Sequence, residues 1–200
     1  MTTILALNSS ILGDGSVSRI LVEDAVRHLT HANPGATIIH RDLGTTPVPH
    51  LTTATVAGVR AVPTTEKELA ARALSDELVA ELRAADTIVI GAPMYNFSIS
   101  TGLRAWFDYV LRAGETFSYS EVGPKGLLTG KRVIVVESRG GLYTEGPAKA
   151  IDFQEPYLRT LLGFIGLSDV TFIHAEKLGF GPEAREAALA SAKQALSAAA

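Results

Sequence analysis

The sequence predicts an α/β fold in three layers, a five-stranded parallel sheet doubly wound by helices. Two observations predict it. Five short aliphatic runs, at 3–7, 37–41, 87–91, 132–137 and 169–174, each stop at polar or small residues, and helical patterns fill the spaces between them. The runs Thr3–Leu7, Thr87–Gly91 and Arg132–Glu137 lack the polar alternation of a half-solvated strand, as expected of strands covered on both faces. With right-handed crossovers throughout, the strand order is 2-1-3-4-5, and the chain reverses between the first and third strands. The 200 residues make one domain, 1–200, around one substantial core.

Each element has its own justification. Thr3–Leu7 ends at Asn8 and belongs at the sheet centre. From Arg19 to Leu29, residues Ile20, Leu21, Ala25, Val26 and Leu29 mark one helical face, with Ser16 or Ser18 as N-cap. Thr37–Arg41 is less apolar and belongs near an edge, and Pro47 and Pro49 rule out regular structure to about Leu51. Thr65 and Glu68 form a capping-box pattern, opening an amphipathic helix to Ala85. It leads into the strand Thr87–Gly91, punctuated by Gly91, Pro93 and Asn96. Ser100 or Thr101 caps a helix bearing Leu103, Trp106, Phe107, Val110 and Leu111, in which Trp106 is a core or interface residue. Thr116–Ser120 and Gly123–Gly126 form a short excursion from the sheet. After Arg132–Glu137 come a buried helix from Pro156 to Ile165, stopped by Gly166, the strand Asp169–His174, and an alanine-rich helix from Pro182 to Ala199.

Composition narrows the function. A net charge of −3 disfavours a nucleic-acid surface or a polybasic membrane patch. The absence of cysteine removes disulfides, thiolate metal sites and a cysteine nucleophile. Five histidines, His28, His31, His40, His50 and His174, show no metal-binding spacing, so most are expected in solvent and no metal is assigned. The first residues lack a basic signal-peptide region and no stretch is long enough to span a bilayer, so the expectation is a soluble, cytoplasmic protein.

Three loops at the carboxyl ends of strands carry the candidate chemistry, because that rim is where open parallel sheets bind ligands. Asn8–Ser18 is hydroxyl-rich and opens a helix, a place for an anion such as a phosphate held by Ser9, Ser10, Ser16 and Ser18. It has neither the Gly-Lys-Ser/Thr of a Walker loop nor Gly-x-Gly-x-x-Gly, and by itself it reads equally well as a capped helix behind a flexible loop. Met94–Phe97 can touch a flat aromatic ring. Ser138–Gly141 ends in two glycines, which permit positive φ and close approach of N–H groups to a ligand. With the first, third and fourth strands side by side, the three loops face one crevice, and FMN fits that description.

The sequence resembles the FMN-dependent NADH azoreductases, also described as FMN-dependent NADH:quinone oxidoreductases, which are flavodoxin-like. The likeness runs nearly end to end. It is carried by Leu-Asn-Ser-Ser-Ile-Leu (7–12), Ala-Pro-Met-Tyr-Asn-Phe-Ser-Ile-Ser (92–100), Arg-Ala-Gly-x-Thr-Phe (112–117), Gly-Pro-x-Gly-Leu (123–127), Ser-Arg-Gly-Gly (138–141) and Leu-Gly-Phe-Ile-Gly (162–166). The resemblance implies that Ser10, Ser16, Val17 and Ser18 hold the FMN phosphate. Met94, Tyr95, Asn96 and Phe97 would bracket the isoalloxazine, and Ser138, Arg139, Gly140 and Gly141 would meet its pyrimidine end. Phe117 and Tyr119 are candidates for a pocket mouth. It further implies a homodimer, NADH or NADPH as donor, quinones and aromatic azo compounds as acceptors, and a ping-pong two-electron cycle through flavin N5 with no catalytic side chain. The stretch 142–154 follows the family pattern less closely. Two other readings belong to the same fold: a flavodoxin-like electron carrier between proteins, and a regulatory domain that binds no flavin.

Overall fold

The computed structural model describes residues 1–121 and 123–199. β1 (Thr3–Asn8) leads into α1 (Val17–Ala32), β2 (Thr37–Asp42), α2 (Val56–Arg60), α3 (Glu66–Ala84) and β3 (Thr87–Pro93). There follow α4 (Thr101–Val110), β4 (Phe117–Ser120), β5 (Gly123–Gly126), β6 (Arg132–Ser138), α5 (Glu155–Phe164), β7 (Asp169–Ala175) and α6 (Pro182–Ala199). Five strands pair in parallel in the order β2-β1-β3-β6-β7, and β4 and β5 form a separate antiparallel hairpin. This is the expected flavodoxin-like order.

Strand periodicity explains the two cores. Leu5, Leu7, Ile88, Ile90, Val133 and Val135 face one side, packed with Leu78 and Leu82 of α3, Leu103 and Phe107 of α4, and Leu158 and Leu162 of α5. Their neighbours Ile4, Ala6, Val89, Ile134 and Val136 face the other side, with Leu21, Val22 and Ala25 of α1 and Ala192 and Leu196 of α6. Covering both faces makes the central strands continuously apolar. Caps set where the helices begin: Ser16 accepts from Arg19 N, Ser100 accepts from Leu103 N, and Thr65 with Glu68 forms the full capping box.

The structure departs from expectation in three places. β3 does not stop at Gly91 but runs to Pro93, which pairs with Ser138; as the last residue, a proline removes no donor that the ladder needs. The short helix α2 had no visible pattern. It crosses the start of α3 so closely that a Cβ on Gly58 would lie 2.2 Å from the Glu68 carbonyl oxygen. Phe117, expected at a pocket mouth, is instead a core residue packing on Phe164 at 4.6 Å between ring centroids, whereas Trp106 is buried as expected. Among the described residues no helix is long and apolar enough to cross a membrane.

Candidate functional site

The crevice lies beyond the carboxyl ends of β1, β3 and β6, and hydrogen bonds join its three loops. Ile11 N donates to the Tyr95 hydroxyl at 3.3 Å, linking the first loop to the second. Met94 N donates to Ser138 O at 2.9 Å, linking the second to the third. Three stretches far apart in sequence therefore form one rim.

On the first wall Ser10, Ser16 and Ser18 are buried, each 1 % exposed. Ser10 Oγ accepts from Leu12 N, which leaves its own proton free to donate. Ser16 and Ser18 hydroxyls share a 3.1 Å hydrogen bond, so one of the two protons is also free. Val17 and Ser18 open α1, and their N–H groups are among the helix donors with no intrahelical partner. Ser9 plays another part, because its hydroxyl donates to Gly91 O at 2.7 Å and ties β1 to β3. The wall is braced from β2: Arg19 pairs with Asp42, whose other oxygen accepts from Gly44 N. Burial would raise the Asp42 pKa, but the hydrogen bonds from Arg19 and Gly44 outweigh it and hold it below the usual value.

The second wall is a miniature hairpin. Tyr95 and Ser98 exchange backbone hydrogen bonds, and Asn96 and Phe97 between them adopt φ of 48° and 71°. Two successive left-handed residues make the tight turn, and a phenylalanine in that region is uncommon, at about 1–3 kcal/mol. The result is an exposed Phe97 ring, edge-on to Tyr143 at 6.4 Å, with Phe97 O accepting from Phe153 N.

The third wall corrects two expectations. Neither Gly140 nor Gly141 has positive φ. What Gly141 provides is room, since a Cβ there would lie 3.1 Å from the Tyr143 ring. The carbonyls of Arg139, Gly140 and Gly141 accept from Leu178, Gly179 and Lys177, so this loop is anchored through its oxygens. Among the described residues, the N–H groups of Gly140 and Gly141 have no acceptor. The Arg139 guanidinium is not on the rim at all. It is fully buried, bonded to Glu137, 3.0 Å from Asp152 and 3.2 Å from Glu176, with Nε donating to Gln154 Oε1. Burial of a charge demands such partners, and they lie under the loop. Gln154 also donates to Ala92 O, so Tyr143–Gln154 is fastened to β3 and not left as a free insertion.

The family model described as a flavodoxin-like fold matches residues 2–200. An FMN-dependent NADH:quinone oxidoreductase of Hyphomonas neptunium is 67% identical over 193 residues, covering 96% of this chain and 93% of that protein. The chain belongs to the FMN-dependent NADH:quinone oxidoreductase family. A protein of the same name from Ralstonia nicotianae is 53% identical, with 96% and 94% covered. Among solved structures, an azoreductase from Bacillus anthracis superposes with a TM-score of 0.91 at 27% identity, covering 100% of this chain and 98% of that one. A Bacillus anthracis FMN-dependent NADH-azoreductase in complex with FMN matches with a TM-score of 0.88 at 25% identity, each chain covered completely.

Within this family member, the sequence-expected residues divide. Ser10, Ser16, Val17, Ser18, Met94, Tyr95, Asn96, Phe97, Ser138, Gly140 and Gly141 all stand on the joined rim. Phe117 and Tyr119 do not: they line a separate cavity of about 390 Å3 beside Arg60, Arg72 and Arg112. Sequence reasoning missed a cluster behind the third wall. Glu137, Glu155 and His174, from β6, α5 and β7, bring their oxygen and nitrogen atoms within 4.8 Å of one another. His174 was expected only as the last residue of the fifth strand, among five histidines of which most were expected in solvent. The strand pairing Glu137↔His174 was its only signal, and that depends on register. Arg139 supplies a cation there already.

Proposed function

We propose that the protein binds FMN in this crevice and reduces quinones and aromatic azo compounds with electrons from NADH or NADPH. The observation that carries the reading is the joined rim, with free donors at both ends and an exposed aromatic between them. The Ser10 hydroxyl, the Ser16–Ser18 pair and the N–H groups of Val17 and Ser18 suit a phosphate without lysine, because each donates a hydrogen bond to an oxyanion at a helix N-terminus. Gly140 and Gly141 N–H groups suit the carbonyl edge of a flavin. FMN held there would supply the two-electron chemistry between the nicotinamide and the acceptor. The protein then orients both substrates against one face and stabilises negative charge at the ring edge through those two N–H groups. An azo bond needs four electrons to become two amines, hence two rounds per bond. No side chain is assigned a catalytic role.

A homodimer belongs to the same proposal. The exposed apolar side chains Ile11, Leu12, Phe97, Ile151 and Phe153 surround the crevice, with Ile11 tied to Tyr95 and Phe153 to Phe97. Such a patch favours covering by a second copy. The relatives' NADH dependence and the cysteine-free composition support a cytoplasmic location. Light scattering tests the dimer: a monomeric mass, with activity per chain unchanged on dilution, would remove it. FMN titration of the purified protein tests the crevice, and a protein that binds no added FMN would overturn the reading.

A further inference from the structure

Immediately beneath the third wall lies a charged cluster that the proposed chemistry does not use. Glu137, the residue before Ser138, is fully buried; its Oε2 contacts Arg139 and lies 3.2 Å from His174 Nε2, while Oε1 has no partner. The same His174 nitrogen is 2.8 Å from Glu155 Oε2 at the start of α5. Arg139 reaches Asp152 at 3.0 Å, Glu155 at 3.9 Å and Glu176 at 3.2 Å, and Arg159 pairs with Glu155. A cavity of about 410 Å3 opens beside the cluster, lined by His174, Glu155, Asp152, Arg159, Lys149 and Tyr143 among others. Four carboxylates thus face two guanidinium groups, and only Lys149 adds a further fixed positive charge along the cavity. One bound proton reduces that imbalance.

We propose that His174, held between Glu137 and Glu155, is a positioning residue whose proton seats the Ser138–Gly141 loop. This rests on the reading that the loop meets FMN. The mechanical path is short. Glu137 is one residue from Ser138, and Ser138 O receives Met94 N, so displacement of Glu137 is felt in both the second and the third wall. A protonated imidazole attracts both carboxylates. Once it is neutral, Glu137 and Glu155 repel across it; Glu155 can turn to the cavity, whereas Glu137 is enclosed and takes its strand end with it.

The electrostatics agree in sign. Hydrogen bonding to Glu137 raises the His174 pKa above its ordinary value, against the lowering effect of burial, and Glu155 adds to the rise. Burial pushes Glu137 upward as well. Both shifts keep a proton in the folded cluster. A raised folded pKa contributes fully below the unfolded value, about 6.5 for histidine, and is lost as pH climbs through the folded value.

The test is FMN affinity, measured by quenching of flavin fluorescence from pH 6 to 9 in the parent, His174→Gln, Glu137→Gln and Glu155→Gln. FMN's own ionisation is common to all four, so differences between the profiles isolate the protein. The parent Kd is expected to rise on the order of tenfold across the window, as for one pKa unit of coupling. His174→Gln should bind weakly already at pH 6 and lack the parent's rise, so that its difference from the parent is largest at pH 6 and vanishes towards pH 9, and Glu137→Gln should lack that rise too. Glu155→Gln, on the cavity side, should shift the midpoint to lower pH, and it decides the matter if either buried variant fails to fold by circular dichroism. Superimposable parent and variant profiles would overturn the inference while leaving the FMN site intact. No FMN binding by the parent at any pH would overturn both.

Discussion

Gly44→Ala probes the phosphate end of the crevice without deleting a donor. Gly44 follows β2, and a Cβ built on it would lie 2.1 Å from the Ser10 carbonyl oxygen, whereas real Cβ contacts essentially never fall below 3.0 Å. One backbone must therefore retreat by about 1 Å. Gly44 is pinned by its N–H to Asp42, and Leu43 N donates to Asn8 O at 2.8 Å, so Ser10 is the side that moves. Overpacking of this kind costs about 1–3 kcal/mol of stability. If Ser10 serves the phosphate, loss of one hydrogen bond to a charged group costs a further ~1.5–3 kcal/mol in binding. That corresponds to roughly 10- to 100-fold in FMN Kd. Gly102→Ala is the control, since its Cβ would meet its nearest atom, Leu43 O, at an ordinary 3.4 Å inside α4. It should leave FMN affinity unchanged and stability close to the parent's. Fluorescence titration gives affinity and urea unfolding gives stability. A folded Gly44→Ala protein with the parent FMN Kd would refute the reasoning.

Three further outcomes follow from the same geometry. Gly141→Val should keep its fold, because φ there is not positive, yet crowd Tyr143 and weaken FMN binding about tenfold with slower reduction by NADH; a parental stopped-flow rate at saturating FMN would contradict this. Ser16→Ala removes the acceptor for Arg19 N and should cost about 1 kcal/mol of stability, while weakening FMN more than riboflavin; equal losses for the two ligands would remove the phosphate from this wall. Asp42, held below its ordinary pKa in the folded chain, contributes stability that is present above about pH 4 and lost as pH falls through its folded value. Asp42→Asn should therefore flatten the acid limb of the urea-midpoint profile, and an unchanged limb would count against the Arg19–Asp42 brace.

Much of this fold was legible because its determinants are local. The uninterrupted apolar runs of β1, β3 and β6 announce burial on both faces, and Thr65 with Glu68 announces a helix start. The rim was legible because strand order alone brings three loops together. Its details were not. Two adjacent glycines at 140 and 141 suggested positive φ, whereas the left-handed residues are Asn96 and Phe97, held so by pairing between Tyr95 and Ser98. A bulky residue at φ 71° runs against propensity and is set by the surrounding hairpin. Arg139 looked like a rim residue by its neighbours, but a strand end alternates faces, and its side chain turns under the loop. The Glu137–Glu155–His174 cluster draws on three elements and has no spacing to find. Phe117 was offered for a pocket mouth, and packing of the hairpin on α5 buries it.

In the proposed function one crevice binds FMN and passes two electrons from a nicotinamide to a small acceptor. Its most direct test is to saturate the purified protein with FMN, add NADH or NADPH without oxygen, and follow the flavin absorbance before and after a quinone is supplied. Stoichiometric FMN binding, bleaching in a single two-electron phase, and full return of the oxidised spectrum on adding quinone are the expected results. A flavin that bleaches only with a one-electron intermediate accumulating, or a bound FMN that neither nicotinamide reduces, would contradict it.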